Sequence, residues 1–228
     1  MNIADNITKI KAELAKANKK TQLIAVSKMH NADAVREALA AGQFIFGENR
    51  VQEAQEKFPA LQAEFKKLEL HLIGPLQTNK VNEALELFDV IQTVDREKLA
   101  LKLSEELHRR AALSSLQSAS SQSAAGKQKQ FYVQVNTGEE EQKAGIEPLK
   151  TVEFVNYCHN DLKLNITGLM CIPPVEEQAY LHFGLLKNIA LKLQSPMKLS
   201  MGMSGDYLVA AEFGADFVRI GSAIFGSR

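Results

Sequence analysis

Two cysteines in 228 residues, Cys158 and Cys171, are too few for a disulfide framework, and without CxxC spacing they form no obvious metal or redox pair. They read as small buried apolar side chains in a reducing compartment. Excess charge of one sign is lacking too: 27 Lys and Arg balance 27 Asp and Glu, so neither nucleic acid nor an anionic membrane surface is an expected partner. No apolar run approaches the ~20 residues of a membrane span. The N-terminus does not read as a signal peptide, because Ile3, Ile7, Ile10 and Leu14 recur at helical spacing with charged residues between them. A soluble, cytoplasmic protein is expected. The histidines show no HxxxH or HExxH spacing, and GxGxxG, GxxxxGK[ST] and GxSxG are missing, which argues against a zinc site and the commoner nucleotide and hydrolase signatures.

What the chain does have is alternation. Residues 23–26 form a continuous apolar run bounded by polar residues, the pattern of a strand buried on both faces of a parallel sheet. Further strands are expected at 43–46, 70–73, 89–92, 131–135, 164–169, 197–200 and 216–220. Between them lie helical spacings: Val35, Ala38 and Leu39 behind an Asn31 cap; Val51, Ala54 and Phe58, ending before Pro59; Val81, Leu85 and Phe88 behind a Thr78 cap. Leu99, Leu103, Leu107 and Ala111 share one stripe, as do Ala179, Phe183, Leu186, Ala190 and Leu193. Residues 114–130 hold six Ser and four Gln but one Leu, too polar to order themselves by burial, and are expected to be a flexible insertion within one domain spanning 1–228. Eight strands alternating with helices over this length is the arithmetic of a single (β/α)8 TIM-type barrel, with a doubly wound open sheet as the alternative.

Barrel sites are built where strands end, and the polar clusters fall there. Lys28 leaves the first strand. A lysine amine in a partly buried mouth loses its proton more easily and is then free to condense with an aldehyde. Gly47, Glu48, Asn49 and Arg50 follow the second strand, and His71 lies within the third. The stretch from Ser200 to Asp206 after strand seven, with Ser204 between glycines, and Arg219, Gly221 and Ser222 at the end of strand eight both combine glycine with a hydroxyl. Loops after strands seven and eight are the usual phosphate cradle of this fold, so a phosphorylated ligand is expected.

Several blocks carry a resemblance: Ala25 to Lys28, Phe46 to Glu53, His71 to Lys80, Gly168 to Met170, Leu199 to Ser204 and Arg219 to Gly226. In this order they resemble the pyridoxal phosphate homeostasis protein family. The resemblance implies a barrel like the N-terminal domain of alanine racemase, with pyridoxal 5′-phosphate (PLP) held as an aldimine on Lys28. It also implies a carrier or regulator of free cofactor without established turnover. Ser204, Gly221 and Ser222 would hold the phosphate. Arg219 resembles the arginine facing the pyridine nitrogen, and Asn49 and His71 would contact the ring. The expected partners are PLP and PLP-dependent apo-enzymes, and the expected state is a monomer. Leu70 replaces a commoner aromatic, and Gln92 with Thr93 replaces His-Ser, departures that bear on the details of the pocket.

Two other readings remain open at this level: a single-domain racemase-like PLP enzyme, and a phosphosugar-type barrel enzyme using Lys28 on another aldehyde or ketone. Two-base racemisation needs a second proton carrier opposite Lys28. The sequence ends soon after the eighth strand, so no second domain is expected to supply one.

Overall fold

The computed structural model describes residues 2–117 and 128–226. Its strands are short because each spans only the height of the barrel, and apolar because helices cover one face and the barrel interior the other. In chain order they are β1 (Gln22–Val26), β2 (Ile45–Glu48), β3 (Glu69–Leu72), β4 (Val90–Val94), β5 (Gln130–Val135), β6 (Ile166–Cys171), β7 (Lys198–Ser200) and β8 (Phe217–Ile220). All pair in parallel, and β8 returns to β1 to close the barrel. Closure rules out the doubly wound sheet.

The helices are α1 (Ile3–Ala17), α2 (Ala32–Ala40), α3 (Val51–Glu64), α4 (Val81–Leu87), α5 (Glu97–Gln117), α6 (Thr151–Asn160), α7 (Ala179–Ala190), α8 (Tyr207–Glu212) and α9 (Ser222–Phe225). Asn2 and Asn31 cap α1 and α2, their side chains accepting from Asp5 N–H at 2.8 Å and Ala34 N–H at 3.0 Å. The extra helix α1 packs on α2, α8 and α9, and Asn6 donates to the Ile224 carbonyl at 2.8 Å. No helix among the described residues is long and apolar enough to cross a membrane.

The period of two along each strand divides the core. Leu23 and Ala25 face the helices in the larger apolar layer, whereas Ile24 faces inward with Val90, Tyr132, Met170 and Phe217 to plug the barrel. Inward positions two residues further along β4 and β8 are polar, Gln92 and Arg219. The plug therefore gives way to a hydrogen-bonded layer toward the strands' C-terminal ends.

Several boundaries differ from the sequence reading, and β6 starts and ends two residues later than the expected 164–169. The helix expected to stop before Pro59 runs through it to Glu64. An interior proline costs about 3 kcal/mol, but Phe58 and Leu61 are fully buried, worth roughly 1.5–3 kcal/mol each, which offsets it. Thr78 does not cap α4; it opens a 3-10 turn, Thr78–Lys80, without a side-chain cap. β2 starts later than expected because Gln43 turns below the sheet, its amide donating to the Leu23 and Ile45 carbonyls at 2.7 Å each. Of the expected insertion at 114–130, the first four residues extend α5 and residue 130 begins β5, while residues 118–127 lie outside the described residues.

Candidate functional site

The C-terminal strand ends open into a cleft of about 600 Å³, within the usual range for a small-molecule site. Lys28 and His30 enter it after β1, Asn49 after β2, Ser204 after β7, Arg219 from β8, and Gly221 and Ser222 from the turn into α9. Six of the seven residues singled out in the sequence thus meet in one cavity. Val26, Ile73, Ile172 and Met203 supply apolar walls that the motifs did not indicate.

Strand alternation aims Lys28 inward, because Ser27 before it turns outward to the Glu48 carboxylate at 2.7 Å. The β7–α8 loop doubles back at Gly202, whose φ of +91° is left-handed and whose missing Cβ would stand 2.5 Å from the Ala210 methyl. That turn lets the Gly202 carbonyl accept from Arg219 N–H at 2.9 Å. It also brings Ser204 to Ser222, whose Oγ donates to Ser204 Oγ at 3.2 Å. Gly221 lies against β1, where a Cβ would come within 3.2 Å of the Val26 carbonyl. Two hydroxyls from separate loops therefore face one end of the cleft. Ser204 does not cap α8; Asp206 holds that position and accepts from Met203 N–H at 2.5 Å.

Arg219 is almost wholly buried, and burial lowers its pKa from the ordinary guanidinium value, though arginine keeps its proton in proteins. Nη1 donates to Ser200 Oγ and Nη2 to the Cys171 carbonyl, each at 2.8 Å. Ser200 Oγ donates to Gln92 Oε1 at 2.7 Å, and Gln92 Nε2 stands 2.8 Å from His71 Nδ1. His71 Nε2 is 2.9 Å from Glu69 Oε1. With the amide nitrogen toward His71, Nδ1 accepts and the ring proton sits on Nε2, facing Glu69. Every hydrogen then points one way, from the Arg219 cation across the barrel to the Glu69 carboxylate.

The structure does not bring His71 into the cleft. It lies on the inward face of β3 two residues before Ile73, fully buried, with its ring edge-on to Phe217 at 5.4 Å. The sequence reading missed Gln92, Ser200 and Glu69 as its partners; their inward period on separate strands was the available signal. Cys158 and Cys171 are free and buried, and burial pushes both thiols up to about 12.

Residues 1–228 match the family model described as alanine racemase, N-terminal domain. The pyridoxal phosphate homeostasis protein of Vibrio cholerae is 39% identical over 243 residues, covering 100% of this chain and 97% of that protein. Its counterpart in Escherichia coli K12 is 35% identical over 234 residues, covering 99% and 94%. The structure of PipY from Synechococcus elongatus PCC7942 with PLP bound aligns at a TM-score of 0.82 and 34% identity, covering 99% of this chain and 100% of that one. Alanine racemase from E. faecalis aligns at 0.72 and 14% identity over 100% of this chain and 59% of that one, a likeness of fold alone.

Proposed function

We propose a function from one premise: the chain belongs to the pyridoxal phosphate homeostasis protein family. The protein binds PLP in the cleft, covalently through Lys28, and serves as a carrier that regulates free cofactor instead of turning over a substrate. The observation that carries this reading is the convergence of one lysine amine, the Ser204 and Ser222 hydroxyls and the Arg219 guanidinium on one cavity. When bound, the cofactor supplies an aldehyde that condenses with a primary amine. The residues present suit it: Lys28 offers the amine, the two hydroxyls with Gly221 would offer donors to a phosphate, and Arg219 and Asn49 would offer donors to the ring.

Two features favour a carrier over a racemase. Arg219 can only donate, so a ring nitrogen facing it stays unprotonated, a weaker electron sink than one paired with a carboxylate. Among the described lining residues, the groups suited to exchange a proton, Lys28 and His30, both come from the β1–α2 loop, whereas racemisation needs donors and acceptors on opposite faces. A monomer is the proposed working unit. Buried free cysteines suit a reducing, cytoplasmic compartment, where PLP-dependent apo-enzymes would be the recipients.

Borohydride reduction of the PLP-loaded protein followed by peptide mass analysis should fix the cofactor mass on the peptide containing Lys28, and Lys28→Ala should lose it. An adduct on another residue would overturn the assignment. Incubation with amino acids in deuterated water should give no sustained α-hydrogen exchange. Multiple turnovers that vanish in Lys28→Ala would make the racemase reading the correct one.

A further inference from the structure

We infer that Lys57 is a positioning residue for Lys28: from α3 it grips the backbone on both sides of Lys28 and so sets where the Lys28 amine stands in the cleft. The inference rests on the reading of Lys28 as the covalent anchor. The Lys57 side chain is 6% exposed, and a buried ammonium is costly unless paired and hydrogen-bonded. Its Nζ lies 2.8 Å from the Ser27 carbonyl and 2.9 Å from the His30 carbonyl. The Glu48 and Glu53 carboxylates complete its shell at 2.7 and 3.1 Å.

The same two acids hold the rest of the loop. Glu48 Oε1 accepts from the Ser27 hydroxyl at 2.7 Å, and Glu53 Oε1 accepts from Met29 N–H. Residues 27, 29 and 30 are thus all tied to one buried cluster, and the residue between them, Lys28, turns its side chain to the cleft. Met29 has a φ of +64°, a left-handed conformation that a side chain-bearing residue keeps only where its surroundings impose it.

A structural ion pair would need none of this. Buried pairs are often no more stabilising than apolar residues of the same volume, and here Glu48 Oε2 is left buried without a hydrogen bond. What the cluster achieves is geometric: it fixes the turn that carries the amine.

The test compares two ligands of the same pocket, PLP and pyridoxine 5′-phosphate, which has an alcohol in place of the aldehyde and cannot condense with an amine. The variant is Lys57→Met with Glu48→Gln, so that the fully buried Glu48 carboxylate is not stranded, while Glu53 is partly exposed and keeps its bond from Met29 N–H. Binding of PLP should weaken at least tenfold, toward the value for Lys28→Ala, while binding of pyridoxine 5′-phosphate changes less than threefold. Parallel losses for both ligands, or no loss for either, would overturn the inference. If the double variant does not fold, Glu53→Gln, which weakens the grip on Lys57 and Met29 from the rim of the cluster, should show the same split between ligands, and its absence there counts equally against the idea. Unchanged PLP binding in Lys28→Ala would instead remove Lys28 as the anchor, and the inference with it.

Discussion

Arg219 Nη1 donates to Ser200 Oγ at 2.8 Å, joining β8 to β7 inside the barrel just beneath the cleft. Because Nη2 is committed to the Cys171 carbonyl, the guanidinium plane is fixed at two points and its remaining N–H groups are directed by that geometry. A rigid donor that never gives up its proton is a means of keeping an acceptor above it unprotonated.

Replacing Ser204 and Ser222 together with Ala removes both hydroxyls at the end of the cleft. Hydrogen bonds to a charged group are worth about 1.5–3 kcal/mol each, so PLP affinity should fall at least tenfold. Titration of the apo double variant checks this, and unchanged affinity would place the phosphate elsewhere.

Gln92→Leu leaves the His71 Nδ1 acceptor and the Ser200 hydroxyl without the partner that joins them. Buried unsatisfied groups cost about 1–3 kcal/mol each, and each kcal/mol lowers Tm by about 2–4 °C in a chain of this size. A drop of at least several degrees is expected by calorimetry, with Gln92→His losing less because an imidazole can still both donate and accept. An unshifted Tm in Gln92→Leu would show that the relay is not continuous.

Glu106 on α5 is held near 2, well below the usual carboxylate range, by hydrogen bonds from Arg109 and then Arg110. A carboxylate whose pKa is depressed on folding adds stability that is complete above its unfolded pKa of about 4.3 and is lost as pH falls toward the folded value. Urea unfolding should therefore show the wild type exceeding Glu106→Gln at pH 6 and the two converging near pH 2. A gap that stays constant with pH would mean the pair contributes no such linkage.

Residues 118–127 carry only Ser, Gln, Ala, Gly and Lys, with no large apolar side chain to bury. Exchanging them for a short Gly/Ser link between α5 and β5 should leave Tm and PLP binding nearly unchanged. Loss of soluble protein would show that the stretch packs.

Much of this protein was legible in the sequence because the signals were local. The run at 23–26, the helical stripes and the cap at Asn31 depend on neighbours within a few residues, and the glycine-hydroxyl loops announce themselves at strand ends. Only the closed barrel decided the rest. Whether a helix survives Pro59 depended on what Phe58 and Leu61 could bury against. His71 became part of an interior relay, not a wall of the cleft, because Gln92 and Ser200, 108 residues apart, point to the same axis. The role inferred for Lys57 likewise follows from a buried meeting of β1, β2 and α3. Such partners are set by barrel closure, and no one-dimensional period encodes which distant side chains will share its interior.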